Sequence, residues 1–424
     1  MTSDTNNRPL HVLVAGGGVA GLETLLALRE LAGPRVAVTL LTPDTEFVHQ
    51  ALSVRESFAG PHATRHSLAG IAEDLGADLR TDTLAWVAPG QHAAFTASGE
   101  ELSYDVLVVA LGAQREAAYE QVTTFRGRDD SESVQGIIDD VEAGYTKRLA
   151  FVVPPGTTWP LPLYELALMT AARAREMGMS PEITVITPEE EPLAVFGAEA
   201  CAAVAELLAA AGIEVEKSAY AEVEGGRRVS MRPSGRQVEA DRVVSLPRLR
   251  GPALQGLPAD EEGFIPVDSH GRVPGIQDVF AAGDGVQFPI KQGGIAAQQA
   301  DAVAEVIAKR AGAPIEPRSF RPVMRGILLT GGKERFLRSE VSRGRDGVSE
   351  VSEHSLWWPP AKIAGRYLAP YLAGAETLPI EREQEGIEVE LPLGGEVAEI
   401  RRRIVISPDA ERRASIEVLE PNGS

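Results

Sequence analysis

Cysteine, long apolar runs and basic residues are scarce in the sequence. Each scarcity argues against particular reactions, locations or partners. Cys201 is the single cysteine among 424 residues, so the chain cannot form an internal disulfide, a Cys-x-x-Cys redox pair or a cysteine-rich metal site. We predict no metal site. Apolar runs long enough for a transmembrane helix are missing as well. The opening residues, MTSDTNNRP, lack the basic and apolar segments of a signal peptide, so we expect a cytoplasmic protein.

Basic residues are also scarce. The 41 Lys and Arg residues are outnumbered by 61 Asp and Glu residues, which gives a formal net charge of -20. Because nucleic acids and anionic membranes attract clustered positive charge, this balance argues against a nucleic-acid partner and disfavours membrane association. The length and an apolar fraction of 44% predict a globular protein with two or three domains.

Two stretches repeat a strand–helix–strand pattern. Residues 10–42 contain HVLVA, a helical segment and VAVTLL, and residues 149–187 contain LAFVV, a second helical segment and EITVITP. The second strands end alike, in VTLLTP and ITVITP. The pattern predicts an α/β fold with two Rossmann-like dinucleotide-binding domains.

The first unit carries a glycine fingerprint directly between its strand and its helix. Gly16, Gly18 and Gly21 fit the spacing G-x-G-x-x-G, in which the glycines permit a tight turn, close approach of a pyrophosphate and close helix packing. An acidic residue that binds a ribose is expected about 20 residues later. That position holds Thr42 and, two residues on, Asp44, and either side chain could make the contact.

Two further motifs point to FAD as the dinucleotide. The segment YDVLVVALGA contains Gly112, with Leu111 at its eighth position, and VFAAGD ends in Gly283 and Asp284. With the glycine fingerprint, these motifs resemble those of the FAD-dependent pyridine nucleotide–disulfide oxidoreductase superfamily, in which Thr or Ser usually stands at the Leu111 position. The resemblance implies that FAD is the cofactor and that Asp284 hydrogen-bonds its ribityl chain.

A segment after these motifs narrows the resemblance. PIKQGGIAAQQA is similar to a segment of type II NADH dehydrogenases, sulfide:quinone oxidoreductases and the flavoproteins of flavocytochrome c sulfide dehydrogenase. Here Gln292 and Gly293 open a helix whose N-terminus would point at the flavin. Lys291 could add positive charge that stabilises reduced flavin, or it could be a solvated loop lysine.

The loop of the second unit, Val153 to Leu163, lacks the glycines and carries four prolines. Because prolines lack the N–H groups that would hold phosphates, a standard NAD(P)H site is not expected. In sulfide-oxidising relatives a cysteine stands six residues before the glutamate of a Tyr-Glu pair. Trp159 occupies that position before Glu165, so cysteine-based sulfide oxidation is disfavoured. Cys201 is expected to be a small core residue of a helix.

Glu165 is the second candidate catalytic residue, beside Lys291. In the resembling enzymes a glutamate at this helix start approaches the flavin, where it could relay protons. Alternatively, Glu165 could simply stabilise the dipole of its own helix.

The sequence thus predicts two nucleotide-binding domains and a C-terminal module. The predicted segments are an FAD domain of residues 1–115 and 260–322, an NAD(P)-binding-like domain of residues 116–259, an aromatic module of residues 323–375 and a partly disordered acidic and polar tail of residues 376–424. Within the module, Trp357 and Trp358 precede a predicted helix over residues 361–374 with one apolar face. That face could pack in the core or a homodimer contact, wall an acceptor pocket, or rest on a membrane.

The leading functional hypothesis is an FAD-dependent oxidoreductase that passes electrons from a small donor to a quinone-like or other small acceptor, without redox cysteines. One alternative is an NAD(P)H dehydrogenase with a degenerate nicotinamide site. The other is an FAD-binding scaffold or sensor without turnover.

Overall fold

A computed structural model describes residues 8–58, 60, 64–340, 349–374, 402–405 and 415–418. The chain divides into two compact units, Met1–Leu368 and Ala369–Ser424. The predicted tail over residues 376–424 lies outside the described residues, except for the antiparallel strands Arg402–Val405 and Ser415–Val418. In the described part of the chain, no helix combines the length and the apolarity needed to cross a membrane.

The first sheet has five parallel strands. Its central strand pairs Val14 with Leu40 on one side and with Val108 on the other, and all three side chains are fully buried. Such a strand must be apolar on both faces, because helices cover both sides of a parallel sheet. In spatial order the strands are Val279–Ala281, Val106–Val109, Leu10–Ala15, Val36–Thr42 and Asp78–Thr81.

The second sheet repeats this arrangement. Phe151 pairs with Val185 and Val244, and all three side chains are buried. In spatial order its parallel strands are Thr123–Thr124, Arg242–Ser245, Arg148–Val152, Glu182–Ile186 and Ile213–Glu216. The α/β fold with two parallel, Rossmann-like sheets is therefore confirmed, whereas the predicted domain boundaries stay predictions.

The remaining elements connect and cover these sheets. The described α-helices are α1 (Val19–Ala32), α2 (Ser53–Glu56), α3 (Leu68–Leu75), α4 (Ser131–Glu142), α5 (Leu161–Glu176), α6 (Ala198–Ala210), α7 (Gly293–Arg310) and α8 (Leu368–Leu372). Short 3-10 turns span Gly33–Arg35, Gln50–Leu52, Pro89–Gln91, Arg128–Asp130 and Ala194–Phe196. Three antiparallel sheets have three strands each: Leu84–Ala88 with Ala93–Thr96 and Glu101–Ser103, Tyr220–Glu224 with Arg228–Arg232 and Gln237–Glu239, and Val323–Leu328 with Arg335–Glu340 and Ser349–Ser352. Two antiparallel sheets have two strands each: Gln114–Glu116 with Arg248–Arg250, and Glu46–Val48 with Arg65–Ser67.

Both predicted strand–helix–strand units are confirmed. The segment of residues 220–245 contains four short strands. Its first three strands form an antiparallel sheet, but Arg242–Ser245 joins the second parallel sheet. That strand is buried from Val243 to Ser245, as a strand inside a parallel sheet requires.

The predicted helix over residues 361–374 is wrong in its first half, because only Leu368–Leu372 is helical. The backbone N–H groups of Tyr367 and Leu368 donate to the Glu23 carboxylate at 2.8 and 2.7 Å. A helix continuing from residue 361 would direct these groups to carbonyls four residues earlier. A side chain from helix α1 therefore takes the place of the predicted helical hydrogen bonds.

Candidate functional site

A cleft of about 1320 Å³ lies at the carboxyl ends of strands from both sheets, where doubly wound folds place their ligands. All the predicted site residues line this cleft except Gly21, which lies inside helix α1. The lining residues among them are Gly16, Gly18, Thr42, Asp44, Gly112, Glu165, Gly283, Asp284, Lys291, Gln292 and Gly293.

The glycine turn is held by backbone contacts. Gly16 has φ +118°, and a Cβ atom there would collide with the carbonyl of Ala110. A Cβ atom on Gly21 would collide with the carbonyl of Gly16. Gly18, the N-cap of helix α1, is different, because a Cβ atom there would meet nothing within 4 Å. The turn therefore presents open space at Gly18 and the N–H groups of a helix start, which suits a pyrophosphate.

The two candidate ribose ligands differ in accessibility. Thr42 is buried at the end of its strand, and its hydroxyl accepts a hydrogen bond from the backbone N–H of Asp44 at 3.3 Å. Asp44 is exposed and lines the cleft. Asp44 is thus the side chain better placed to receive ribose hydroxyls.

Asp284 and Lys291 both line the cleft, and each influences the pKa of the other. Burial raises the pKa of Asp284, against the attraction of Arg115 and Lys291. Burial lowers the pKa of Lys291 to about 8, against the attraction of nearby carboxylates. Lys291 donates to the carbonyl of Val286, and its Nζ lies 3.8 Å from the centre of the Phe264 ring. Lys291 is therefore a half-buried, oriented cation and not a freely solvated one.

Gln292 and Gly293 serve the start of helix α7. The Gln292 side chain accepts from the backbone N–H of Ile295 at 2.9 Å and donates to the carbonyl of Arg325 at 3.1 Å. A Cβ atom on Gly293 would lie 2.8 Å from the Ile363 side chain. Gln292 is thus an N-cap that orients the helix end toward the cleft, and its side chain is already engaged.

Glu165 forms a buried ion pair that the sequence did not reveal. Lys362 donates to both carboxylate oxygens, at 2.6 and 2.7 Å, and the backbone N–H of Leu329 adds a third bond at 2.9 Å. The Glu165 side chain is completely buried and that of Lys362 is 6% exposed. Burial raises the pKa of Glu165 and lowers the pKa of Lys362, while the attraction between the two charges opposes both shifts.

Trp159 also lines the cleft, and its ring packs at 57° against Phe196 with the ring centroids 5.4 Å apart.

Cys201 is partly exposed on helix α6, so its predicted burial in the core is wrong. Among the described residues, Cys201 is not part of the cleft lining, and burial raises the pKa of its thiol. Neither Trp357 nor Trp358 belongs to the described lining, whereas Ile363, from the segment with the predicted apolar face, does.

The second nucleotide unit has an acidic residue near the position where a ribose ligand is expected. Glu189 follows the strand Glu182–Ile186, and its carboxylate accepts hydrogen bonds from the Tyr164 hydroxyl at 2.7 Å and the Thr187 hydroxyl at 3.1 Å. The backbone N–H of Ala194 donates to its other oxygen at 3.2 Å. The protein's own donors thus occupy a carboxylate that would receive ribose hydroxyls in a dinucleotide site.

Sequence reasoning also missed a group of cations. Their side chains lie on separate short strands and loops, which the sequence alone does not bring together. Arg115 donates to the carbonyl of Arg126 at 2.7 Å, and Arg126 pairs with Asp130 at 3.0 Å. The arginines that line the cleft are Arg115, Arg126, Arg248 and Arg250. They bring positive charge to a cleft of an otherwise acidic chain.

The first prediction compares two glycines of one turn. Gly21→Ala should lower the free energy of unfolding by several kcal/mol, because the new methyl group collides with the Gly16 carbonyl. Gly18→Ala should leave the apoprotein's stability nearly unchanged and weaken FAD binding, because its methyl group enters the open space. Urea unfolding and FAD titration measure both effects. Equal loss of stability in the two variants would contradict the assigned geometry.

The second prediction concerns the buried ion pair. Glu165→Gln or Lys362→Met should each cost about 3–5 kcal/mol of unfolding free energy, because each leaves one buried charge unpaired. The double variant should be more stable than the sum of the two losses predicts. Urea unfolding of all four proteins measures the coupling. Strictly additive losses would mean that the two charges do not interact.

Comparison with known proteins agrees with this geometry. Residues 10–300 match the family model described as pyridine nucleotide-disulphide oxidoreductase. A sulfide-quinone reductase of Aquifex aeolicus (strain VF5) is 24% identical over 279 residues, which are 59% of this chain and 61% of that protein. The match thus spans less than two thirds of that relative's length.

Solved structures share the fold. The sulfide:quinone oxidoreductase from Aquifex aeolicus aligns with a TM-score of 0.73 and 20% identity, over 81% of this chain and 87% of that one. A ferredoxin reductase from Rhodopseudomonas palustris aligns with a TM-score of 0.59 and 19% identity, over 78% and 82%. With most of its length matched by the family model, the chain belongs to the pyridine nucleotide-disulphide oxidoreductase family, whose members are FAD-dependent oxidoreductases.

Proposed function

We propose that this chain passes electrons from bound FAD to a quinone-like or other small acceptor, without a redox cysteine and without a standard nicotinamide site. The observation that carries the proposal is the buried Glu165–Lys362 pair in a cleft whose expected cysteine position holds Trp159. Such a cleft offers a proton-transfer pair beside an aromatic side chain, and its described lining contains no cysteine.

The residues of the cleft fit FAD. Gly16 and Gly18 would hold the pyrophosphate at the start of helix α1, and Asp44 would receive the ribose. Asp284 would accept from the ribityl hydroxyls, and Lys291 with the start of helix α7 would favour negative charge on the flavin ring. FAD supplies the electron-transfer chemistry when it is bound.

The ion pair provides the proton chemistry of the proposed reaction. Reduction of a quinone to a quinol takes up two electrons and two protons. Because burial raises the pKa of Glu165 and lowers the pKa of Lys362, the proton between them is held less firmly on nitrogen than it would be in water. The pair can therefore give one of the two protons to an acceptor oxygen, while the reduced cofactor would supply the two electrons and the other proton.

Two features favour this function over nicotinamide oxidation. The loop after the strand Arg148–Val152 offers prolines where glycines would cradle a pyrophosphate. Glu189 is already bonded to Tyr164 and Thr187 at the end of the next strand. An NAD(P)H molecule would have to displace these internal bonds to gain its usual ribose contact.

The decisive experiment offers a soluble quinone to the photoreduced holoprotein without oxygen. Wild-type flavin should be reoxidised rapidly, and Lys362→Met should slow the reaction by about 10²-fold, the usual loss when a proton donor is removed. Lys333→Met is the matched control, because Lys333 is 81% exposed. Flavin absorbance in a stopped-flow instrument measures the rates. Failure of quinone to reoxidise the wild type would favour a scaffold or sensor without turnover.

A second panel offers electron donors to the oxidised protein. NADH and NADPH should reduce the flavin slowly and without saturation in the micromolar range, where ordinary substrates saturate between roughly 1 μM and 1 mM. Saturable micromolar reduction would instead support an NAD(P)H dehydrogenase.

Sulfide should also fail to reduce the flavin rapidly, because the cleft carries Trp159 and because Cys201 lies outside its described lining. Flavin bleaching by micromolar sulfide is the measurement. Rapid bleaching that disappears in Cys201→Ser would show that the thiol reaches the flavin after all.

A further inference from the structure

Three strands of the second sheet end in register at the cleft. Thr124 pairs with Ser245, and Ser245 pairs with Val152, so the three carboxyl ends lie side by side. The segments that follow these strands line the cleft with residues 125–127, 246–250 and 155–162 apart from Pro160. Doubly wound folds bind their ligands at such an edge. The second unit therefore presents a ligand-binding edge, although its loop lacks the glycines of a dinucleotide site.

The charges along this edge are all positive. Its three segments contain Arg126, Arg248 and Arg250 and no acidic residue. We call these three side chains the arginine edge. The chain as a whole has a formal net charge of -20, so this edge is opposite in sign to most of the molecule. Because a cleft lined by one sign of charge concentrates ions of the opposite sign, the arginine edge favours an anionic ligand.

The loop of Arg126 holds a second guanidinium beside it. Asp130 fixes Arg126 by accepting from its backbone N–H at 2.8 Å and from its guanidinium at 3.0 Å. Arg115 donates to the carbonyl of Arg126 at 2.7 Å, and it also lines the cleft. Within the described part of the chain, Arg115 forms no ion pair. Two guanidinium groups thus share one carboxylate, and this loop keeps an excess of positive charge.

Arg248 is exposed and lies opposite Glu116 in the ribbon of Gln114–Glu116 and Arg248–Arg250. The Glu116 carboxylate, however, lies 3.6 Å from Nε of Arg250. Among the residues that the structure describes, Arg248 is left without an ion-pair partner. A guanidinium presents its N–H groups in a planar fork that matches the oxygens of an ionised acid. Arg248 is therefore the side chain of the arginine edge best placed to bind an anion.

The loop over residues 155–162 connects the arginine edge with the proposed reaction centre. Thr157 and Thr158 line the cleft, and Trp159 follows them. Helix α5 then begins at Leu161 and carries Glu165, the partner of Lys362. One wall of the cleft thus leads from free positive charge, past two hydroxyl groups and an aromatic ring, to the buried ion pair.

We propose that the acceptor is a quinone-like molecule that carries an ionised acidic group, and that Arg248 and the Arg115–Arg126 loop bind this group. The inference rests on the proposed function and specifies the class of acceptor. The ring of the acceptor lies toward Trp159 and the ion pair, and its anionic group lies at the arginine edge. A neutral quinone of the same size can use the ring site, but it leaves the arginines without a ligand.

Two soluble quinones separate the charge of the acceptor from its ring. Naphthoquinone sulfonate is anionic, and menadione is neutral. Each is offered without oxygen to the photoreduced holoprotein over a range of concentrations, and flavin absorbance gives the rates. In Arg248→Gln the sulfonate concentration for half the maximal rate should rise by about tenfold or more, and that of menadione should stay within about twofold. Each quinone is compared with itself across the proteins, so their different redox potentials do not affect the result.

Arg232→Gln is the matched control. Arg232 ends a strand of a separate antiparallel sheet, and its side chain is 74% exposed. The control removes the same charge from the chain and should leave both quinones unaffected. Equal weakening of both quinones in Arg248→Gln would overturn the proposal. An unchanged half-maximal concentration of the sulfonate would overturn it too, and so would an equal effect of Arg232→Gln.

Titration of the apoprotein with FAD separates an acceptor site from a cofactor contact. Arg248→Gln should bind FAD as tightly as the wild type does. Weaker FAD binding in this variant, together with unchanged discrimination between the two quinones, would assign Arg248 to the cofactor and contradict the acceptor site.

A redox-inactive probe separates this inference from the proposed function. Naphthalene sulfonate should bind the oxidised wild-type holoprotein in a calorimetric titration, and Arg248→Gln should bind it about tenfold more weakly. If neither quinone reoxidised the wild-type flavin, the proposed function would fail, and calorimetry would still decide whether the anion site exists. Equal binding of naphthalene sulfonate by the two proteins, or no binding by the wild type, would refute the anion site.

Discussion

The arrangement of the cleft depends on one buried ion pair. Glu165 lies near the start of helix α5, and Lys362 lies 197 residues later in the chain. Removing these charges from water costs several kcal/mol for each ion, which only close contact and further hydrogen bonds can offset. The contacts at 2.6 and 2.7 Å and the Leu329 N–H provide that compensation. These short contacts therefore fix the position of the chain around Lys362.

Two observations support the proposal that this chain uses neither a redox cysteine nor a standard nicotinamide site. An indole fills the position of a redox cysteine, and Tyr164 bonds the carboxylate that would hold a second ribose. The first sheet nevertheless carries a glycine turn typical of dinucleotide sites, in which backbone contacts require two of the glycines and the third borders open space. The molecule thus combines a cleft whose residues fit FAD with a second nucleotide unit in which Glu189 is hydrogen-bonded to the protein's own hydroxyl groups.

Local features of the sequence predicted the fold class and the glycine turn of the cleft. The glycine spacing, the motif before Asp284 and the apolar strands depend on neighbours within a few residues, so the fold class and part of the cleft lining followed from them. The sequence did not predict the Glu165–Lys362 ion pair, because Lys362 lies in the segment for which a helix was predicted. The helix prediction was wrong because the carboxylate of Glu23 accepts hydrogen bonds from backbone N–H groups of this segment, which lie more than 300 residues later in the chain. Long-range hydrogen bonds of this kind leave no periodic signal.

A crystal structure of the FAD-bound protein tests the central claim most directly. The account predicts that the pyrophosphate lies at Gly18 and that the isoalloxazine ring lies within about one water molecule of the Glu165–Lys362 pair, the reach required for proton transfer. An isoalloxazine ring that lies at Thr42 and Asp44, with the adenine beside the ion pair, would contradict it.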